Sequence, residues 1–523
     1  MPYSKQVIDH FQNPKNFGKM TKPSAIGKVG NPVCGDLMHL YIKVDKNKKG
    51  EEFLADVKFQ TFGCLPLDEK ISANEGDWQK IGEIKEGDYV LNGKGVKSMV
   101  KNRLVYDYEG YLLGIVPFVS RINKFFLTPS HPVLVIKRSS LSRARPSSGP
   151  WLRVDKKEIK SKKPEFIPAQ NLEAGDYLVY QPNTVVRDSK TYSQDLMRLL
   201  GYYLAEGYTV ANNSVVAFSF NKKERMYIDE VKELIKKVIG KETSQRIRGN
   251  VCEIYFCSRK WVKFFIAAAG KYANKKRLCQ EILVLPFKKQ LNLIETFKNG
   301  DGNSYRRRPQ GYLTHRLATA SQELAVNLQE ILARGGIFSS IKKSDHPNRK
   351  IIEGRRVKAK PIYEISYRLQ RKRQYFYYRN GFFLVPIWKI VKKEFRGLVA
   401  NLEMAGNSQA YLVKGYVVHN CVAALATSSA ITEMAKGKTL KEAINIGSKQ
   451  LVDFLGQLPP VKIHCSVLAA DALHEAIYSY LKKTDQNIPE SLIKTHRRLR
   501  KERELIREKF KDWVRLEEKQ LEK

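Results

Sequence analysis

The sequence predicts a multidomain protein in which a small α+β domain is divided by a long insertion, itself an all-β unit that carries a further α/β segment. Three observations predict this fold class. Residues 1–63 and the residues from Cys421 onward have polar and apolar patterns that together would complete one domain. The residues between them are strand-rich with Gly-Asp turns and then helical, basic and aromatic. A chain of 523 residues is also long enough for about three or four domains.

The composition indicates folded domains and a polyanionic partner. Apolar residues make up 42% of the chain, which is enough for packed cores. The formal net charge of +40 most often attracts nucleic acid, although a basic protein without such a partner would have the same composition. Because no export signal and no run of about 18 apolar residues is present, we expect a cytoplasmic protein without a membrane span. The seven cysteines then predict reduced thiols for chemistry or metal binding.

The outer pieces have the elements of a small α+β domain. Residues 1–63 contain a predicted helix, YSKQVIDHFQ, and two alternating segments typical of paired strands, MHLYIKVDK and FLADVKFQTFG. From Cys421 to residue 485, apolar spacings of three and four predict helices over VAALATSSAITEMAKGKTLKEAINIGSKQLVDFLG and SVLAADALHEAIYSYLKK. Residues 486–523 read as a charged helical tail, either a coiled coil or a docking arm.

When residues 64–420 are omitted, the outer pieces join as DVKFQTFGCVAALATSSAITEMAKGKTL. The joined sequence resembles the iron-sulfur cluster scaffold proteins of the IscU/NifU type. The resemblance rests on YSKQVIDHFQNPKNFG, GNPVCGD, the joined FQTFG and CVAALATSSAITEMAKGK, and LPPVKIHCSVLAADALHEAI.

This resemblance implies a metal-cluster site and protein partners for the joined domain. Three thiolates, Cys34, Cys421 and Cys465, would hold a [2Fe-2S] cluster or a zinc ion, with Asp36 and His464 as candidates for the fourth ligand. The implied partners are a cysteine desulfurase and an Hsp70-type chaperone. The chaperone segment would be LPPVK at positions 458–462, which also fits an extended linker before a helix.

The two ends of the insertion carry residues with reactive side chains. We call the two junctions between the insertion and the outer pieces the first and second seams. Cys64 follows Gly63 at the first seam, and His419 and Asn420 precede Cys421 at the second. The segment TPSHPVL contains a Thr-x-x-His box. This arrangement resembles an intein, which implies an all-β Hint (horseshoe) splicing domain made from residues 64–188 and 382–420. The Gly-Asp turns in KIGEIKEGDYVLNG and IPAQNLEAGDYLVYQ fit that fold.

The intein resemblance implies a role for each seam residue. Cys64 would attack the Gly63 carbonyl to form a thioester, with Thr128 and His131 assisting departure of the nitrogen. Cys421 would then accept the acyl group, Asn420 would cyclise to release the insertion, and His419 would polarise the Asn420 carbonyl. Taken singly, each residue has a plainer interpretation, such as a core cysteine or a histidine at a strand end.

The segment LVANLEMAGNSQAYLVKGYVV departs from the intein pattern at two positions. Asn401 stands where many members have aspartate, and Gln409 falls near where some have histidine. We therefore expect the later steps of splicing to depend more heavily on His419.

Residues 189–381 exceed what a splicing domain needs. They contain LLGYYLAEGY at 199–208 and LIETFKNGDGN at 293–303, which resemble the paired LAGLIDADG motifs of homing endonucleases. The resemblance implies two closely packed helices that end at Glu206 and Asp301, and this carboxylate pair would bind Mg²⁺ beside double-stranded DNA. Either motif alone also fits a buried helix with a glycine near its C-cap, and such domains can lose activity while keeping their fold.

Together these resemblances predict a precursor that removes residues 64–420 by autocatalytic splicing, without a cofactor. Ligation of Gly63 to Cys421 would yield an iron-sulfur cluster assembly scaffold, which is not itself an enzyme. The excised segment would be a DNA hydrolase that recognises the uninterrupted scaffold gene. A competing interpretation is a basic DNA-binding protein that does not splice and whose ends form a regulatory metal-binding domain.

Overall fold

A computed structural model describes the chain in segments. The described residues are 4–12, 14–18, 20–30, 37–61, 63–73, 77–118, 120–142, 154–210, 214–306, 309–344, 350–352, 355–357, 361–369, 376–405, 409–419, 422–456, 458 and 463–509. Four predicted site residues, Cys34, Asp36, Asn420 and Cys421, lie outside these ranges, as does most of the predicted chaperone segment.

The elements alternate between helical and extended regions along the chain. The helices are α1 (Lys5–Gln12), α2 (Lys156–Ser161), α3 (Gln194–Glu206), α4 (Arg225–Ile239), α5 (Arg259–Ala269), α6 (Gln280–Val284), α7 (Phe287–Asp301), α8 (Gln322–Arg334), α9 (Val422–Ala435), α10 (Leu440–Ile444), α11 (Ser448–Phe454), α12 (Ile463–Lys483) and α13 (Glu490–Lys509). The strands that precede α7 are β1 (Ala25–Gly30), β2 (Leu37–Lys46), β3 (Glu52–Thr61), β4 (Leu65–Pro66), β5 (Lys70–Ala73), β6 (Asp77–Lys80), β7 (Tyr89–Leu91), β8 (Lys97–Pro117), β9 (Phe125–Leu127), β10 (Pro132–Ile136), β11 (Glu165–Pro168), β12 (Tyr177–Tyr180), β13 (Gly207–Val210), β14 (Val215–Asn221), β15 (Ser244–Arg248) and β16 (Val251–Cys257). The remaining strands are β17 (Gly302–Arg306), β18 (Leu313–Thr319), β19 (Ser340–Ser344), β20 (Lys350–Ile352), β21 (Arg355–Val357), β22 (Ile362–Tyr367), β23 (Tyr377–Arg379), β24 (Phe382–Met404), β25 (Ala410–Val413) and β26 (Tyr416–His419).

The two outer pieces form one α+β domain. Strands β1, β2 and β3 make an antiparallel three-stranded sheet among the described residues. Helices α9 and α12 pack against this sheet, and residues from both pieces share one core that includes Leu40, Phe59, Ile431 and Leu473. Because the sheet comes from one piece and most of the helices from the other, neither piece would bury its apolar face alone. The predicted division of one α+β domain by an insertion is therefore confirmed.

The outer parts of the insertion form a large antiparallel β unit. Its described residues build a 13-stranded sheet in which the order along the main path is β11, β10, β12, β26, β25, β5, β7, β8, β24 and β23. The long strands β8 and β24 pair from Pro117 with Ile387 to Val100 with Met404. Both Gly-Asp turns predicted from sequence occur here, and Gly87 and Gly175 have φ angles of +84° and +97°, which favour glycine. Strand β23 pairs with β24, although it falls near the end of the predicted 189–381 segment.

The middle of the insertion is an α/β unit built from two similar halves. Helix α3 is followed by a four-stranded sheet of order β13, β14, β16, β15, and helix α7 by one of order β17, β18, β22, β19. Each half therefore pairs its strands in the order first, second, fourth and third. Helices α3 and α7 pack against each other between the halves and belong to one shared core. Among the described residues, no helix combines the length and apolar character that a membrane crossing needs.

Candidate functional site

The first seam, between Gly63 and Cys64, lies inside the β unit. Cys64 directly precedes β4, and its side chain is almost fully buried. Burial raises the pKa of the Cys64 thiol to about 12, and an interaction with the Gly63 backbone opposes that shift. The thiol is therefore protonated at neutral pH, so its use as a nucleophile requires a neighbouring group that accepts the proton.

Thr128 and His131 lie next to the residues joined by the Gly63–Cys64 peptide bond. The Cys64 N–H donates a 2.8 Å hydrogen bond to the Thr128 hydroxyl oxygen, and that hydroxyl donates to the Cys64 carbonyl oxygen at 3.2 Å. His131 is fully buried, and a Cβ placed on Gly63 would lie 3.9 Å from its Nδ1. Burial lowers the pKa of His131 to about 4, while an interaction with the Gly63 backbone opposes the shift. The imidazole is thus neutral at pH 7 and able to accept a proton.

Asn401 contacts the carbonyl side of the same seam. Its Nδ2 donates a 2.6 Å hydrogen bond to the Gly63 carbonyl oxygen. Its Oδ1 accepts hydrogen bonds from the Leu402 N–H at 2.9 Å and from the Tyr411 hydroxyl at 2.8 Å. Gln409, the other departure in sequence, instead binds the backbone N–H and carbonyl oxygen of Met404.

The strand that leads to the second seam, β26, pairs with β10 beside the first seam. Val133 in β10 is opposite Val418 in β26 in an antiparallel pair, so His131 and His419 lie near the same ends of neighbouring strands. The His419 ring also packs against Phe166, with centroids 4.7 Å apart. His419, the last described residue before the second seam, therefore lies at the same end of the β unit as His131.

The carboxylates of the α/β unit meet where the paired helices end. Helix α3 ends at Glu206 and helix α7 at Asp301. A Cβ placed on Gly300 would lie 3.1 Å from a Glu206 carboxylate oxygen, so the two helix ends are in close contact. Burial, followed by the Asp301 charge, raises the pKa of Glu206 to about 7. Desolvation raises the pKa of Asp301 to about 6, and the nearby Lys276 charge opposes this shift, although the residue is exposed to solvent overall.

Lys276 is a charged residue of this site that the sequence analysis missed. It is buried beside the carboxylates, and its Nζ donates to the carbonyl oxygens of Tyr203 and Gly207 and lies 3.7 Å from the centroid of the Tyr203 ring. Burial lowers the pKa of Lys276 to about 7, while Asp301 and Glu206 oppose the shift. In sequence this lysine cannot be distinguished from the other cations around it, because only its burial sets it apart.

The predicted cluster site of the outer domain is described in part. Cys465 is buried in the first turn of α12, where its carbonyl oxygen accepts a 3.2 Å hydrogen bond from the Thr427 hydroxyl. His464 precedes it in the same helix. Within the described ranges, no group of three or more His, Cys, Asp or Glu side chains could hold a metal ion. The other three predicted ligands lie outside those ranges.

These features define a class of protein, a small α+β domain interrupted by an insertion whose two ends converge and which carries a paired-helix α/β unit. Comparison with known proteins assigns two of these parts. Residues 2–66 and 411–487 together match the family described as "NifU-like N terminal domain". Residues 288–371 match the family described as "LAGLIDADG-like domain". The chain therefore contains a NifU-like N-terminal domain split by an insertion, and a LAGLIDADG-like domain within that insertion.

Individual relatives resemble different parts of the chain. An iron-sulfur cluster assembly SufBD family protein of Mycobacterium tuberculosis is 30% identical over 376 residues, which is 71% of this chain and 44% of the relative. An alignment that long necessarily includes much of the insertion. The iron-sulfur cluster assembly scaffold protein IscU 1 of Archaeoglobus fulgidus is 58% identical over 62 residues, 12% of this chain and 37% of the relative. The chain spans less than half the length of these curated relatives. A structure of the homing endonuclease I-DmoI in complex with DNA and Mn has 15% identity and a TM-score of 0.25, covering 34% of this chain and 91% of that chain.

Proposed function

We propose that this chain is a precursor that excises residues 64–420 by autocatalytic protein splicing and joins Gly63 to Cys421. The observation that carries the proposal is the position of β26, because the Val133–Val418 pairing brings the end of this strand, at His419, beside His131 and Gly63. The relative from M. tuberculosis supports the proposal, since it has a different family name and yet resembles much of the insertion. A segment shared by proteins with different family names fits a self-contained element.

The first step exchanges an amide for a thioester. The Sγ of Cys64 bonds to the Gly63 carbonyl carbon, the bond from that carbon to the Cys64 nitrogen breaks, and the thiol proton ends on the nitrogen. Neutral His131 is the group that would carry this proton, because it is buried beside Gly63. The Thr128 hydroxyl already holds the Cys64 N–H and would keep the departing nitrogen in place.

Three further steps complete the exchange. The Sγ of Cys421 takes the Gly63 acyl group, and Cys64 regains its thiol proton. The side-chain nitrogen of Asn420 then attacks its own main-chain carbonyl carbon, which breaks the peptide bond to Cys421, and His419 assists by polarising that carbonyl. The freed amine of Cys421 finally displaces its own sulfur from Gly63 and forms a peptide bond. All atoms of the reaction come from the chain itself, so splicing needs no cofactor.

Substitutions at the two seams test this mechanism separately. We expect Cys64→Ala to abolish ligation, because the first nucleophile is lost. Asn420→Ala should still allow the first acyl shift, so that hydroxylamine releases residues 1–63, but should prevent release of the insertion. Gel electrophoresis and intact-mass measurement of freshly expressed chain would follow both outcomes. An unaltered band of the full chain from the native sequence, or normal ligation by the Cys64→Ala chain, would refute splicing.

The proposed product of splicing is an iron-sulfur cluster assembly scaffold with the thiols of Cys34, Cys421 and Cys465. The cluster is its cargo, and Asp36 or His464 would complete the donor set. A ligand that exchanges readily suits a protein that must release what it assembles. The proposed partners are a cysteine desulfurase, which would supply sulfur, and an Hsp70-type chaperone that would bind the segment around Leu458. Assembly in the cytoplasm fits these reduced thiols.

The excised segment is proposed to be a site-specific DNA endonuclease centred on Glu206 and Asp301. The donor chemistry fits Mg²⁺, because two crowded carboxylates with raised pKa values offer hard oxygen ligands to a divalent cation. A bound Mg²⁺ would supply Lewis-acid stabilisation of a phosphate oxygen. Lys276, whose pKa is lowered to about 7, lies at the same helix ends and carries positive charge below that pH. The proposed target is the uninterrupted scaffold gene at the position that encodes the Gly63–Cys421 junction.

A further inference from the structure

Asn401 holds the oxygen atom that gains charge in the proposed first step. When the Cys64 sulfur attacks, the Gly63 carbonyl carbon becomes tetrahedral and negative charge develops on its oxygen. The Asn401 Nδ2 is already 2.6 Å from that oxygen in the unreacted chain. A donor fixed in this position strengthens its hydrogen bond as the charge develops and needs no rearrangement during the reaction.

Two neighbouring donors fix the orientation of the Asn401 amide. The Leu402 N–H and the Tyr411 hydroxyl both point at Oδ1, at 2.9 Å and 2.8 Å. A flipped amide would aim its NH₂ group at these two donors and its oxygen at the Gly63 oxygen, so all three contacts would become repulsive. Burial raises the pKa of Tyr411 well above its usual value, which keeps its hydroxyl protonated and donating.

We infer that Asn401 is a catalytic residue of the first splicing step, a hydrogen-bond donor that stabilises the oxyanion formed at Gly63, and that Tyr411 is the residue that positions it. The inference rests on the proposed function and assigns a role that the seam residues lack. The Cys64 N–H is occupied with Thr128, and His131 is needed for the proton. Asn401 donates the 2.6 Å hydrogen bond to the Gly63 carbonyl oxygen, so it is in place on that oxygen before the reaction begins.

The same geometry explains why an aspartate at position 401 would act differently in this chain. An ionised carboxylate could still accept from Leu402 and Tyr411, but its second oxygen would face the Gly63 oxygen and repel the developing charge. A protonated carboxyl group would instead donate its O–H to that oxygen. The aspartate variant should therefore recover activity as the pH falls, which the alanine variant cannot do.

The test measures the first step alone in the full chain carrying Cys421→Ala and Asn420→Ala, which block acyl transfer and release. Hydroxylamine then frees residues 1–63 only when the Gly63 thioester has formed. We expect Asn401→Ala to slow this release by about 10²–10³-fold, the usual loss for one oxyanion donor. Tyr411→Phe should slow it less. The rate of Asn401→Asp relative to the parent should be low at pH 8 and rise toward pH 5.

Asn123→Ala is the matched control for loss of a buried amide. Asn123 belongs to the same β unit and is buried, but its Nδ2 donates to the Gln329 side chain, away from the seam. The Asn123→Ala chain should release residues 1–63 at a rate within about threefold of the parent rate, a change worth less than 1 kcal/mol in the activation barrier. Near-parent rates for both Asn401→Ala and Asn401→Asp at every pH would overturn the role of Asn401 and leave splicing intact. A parent chain that releases no residues 1–63, while folded, would overturn splicing itself and this inference with it.

Discussion

Glu206 links the stability of the α/β unit to its proposed chemistry. Its pKa is raised to about 7, so the folded state keeps a proton that the unfolded chain releases near the usual value. The unfolded state therefore binds fewer protons between about pH 4.5 and 7, and the stability contributed by this group falls as the pH rises through that interval. The carboxylate is destabilising above pH 7, where its proposed role requires it to be ionised.

Glu206→Gln should therefore stabilise the unit and inactivate it. We expect the variant to gain about 1–2 kcal/mol at pH 8, after allowance for the solvent around this partly exposed group, and almost nothing at pH 4. It should lose Mg²⁺-dependent cleavage of the uninterrupted gene because one metal ligand is gone. Thermal unfolding at both pH values and cleavage of plasmid DNA measure the two effects. Equal stability changes at pH 4 and pH 8 would contradict the buried-carboxylate argument, and retained cleavage would contradict the proposed metal site.

At the scale of elements, the pair α3 and α7 depends on close backbone contact. A Cβ added at Gly201 would lie 2.0 Å from the Thr296 Oγ1 and 2.5 Å from the Leu293 carbonyl oxygen. Thr296 also donates a 2.8 Å hydrogen bond to the Arg198 carbonyl oxygen across the two helices. The helices can approach this closely only because position 201 has no side chain.

Gly201→Ala should therefore push the two helices apart. We expect a loss of about 1–3 kcal/mol in the stability of the α/β unit, which is typical of overpacking, and a loss of DNA cleavage because the carboxylates at the helix ends separate. The matched control is Gly240→Ala at the end of α4, where φ is +69° and nothing lies within 4 Å of the added Cβ. The control should lower the free energy of unfolding of the α/β unit by about 1 kcal/mol through backbone strain alone, and it should retain DNA cleavage. Chemical unfolding and a cleavage assay would compare them, and equal cleavage by both variants would contradict the packing argument.

The sequence could predict those parts of the fold and of the candidate sites that depend on short stretches of neighbouring residues. The helices that end at Glu206 and Asp301 follow from short motifs, and the pairing of β2 with β3 follows from alternation within each strand. The bond from Asn401 to Gly63 depends on how β24 lies in the sheet, which no local pattern specifies. The burial of Lys276 likewise depends on several elements packing around it. Local motifs therefore predict which residues are present at a site, whereas the tertiary fold decides how they are oriented.

At the scale of the whole molecule, the α/β unit contributes to the core of the β unit. Phe338 lies between α8 and β19, yet it is buried in the β-unit core, with its ring 4.9 Å from that of Tyr180. The Tyr180 ring in turn lies 5.3 Å from that of Tyr416, in the strand that ends at His419. The Tyr180 hydroxyl also donates a 2.5 Å hydrogen bond to Glu330 in α8. Packing of the α/β unit therefore supports the strand that leads to the second seam.

This arrangement predicts that Phe338→Ala impairs splicing although residue 338 is far from both seams in sequence. The cavity should lower the free energy of unfolding by about 3–5 kcal/mol. Each 1.4 kcal/mol of that loss that appears as a higher activation barrier for ligation should slow ligation about tenfold. The matched control is Phe256→Ala, which empties a similar volume in the core of the α/β unit instead. That variant should reduce DNA cleavage and leave the rate of ligation within about threefold of the parent. Time courses of ligated product, measured for both variants at a temperature where each remains folded, compare the two positions. If Phe338→Ala also ligates within about threefold of the parent, the β unit does not depend on Phe338 and the packing argument is wrong.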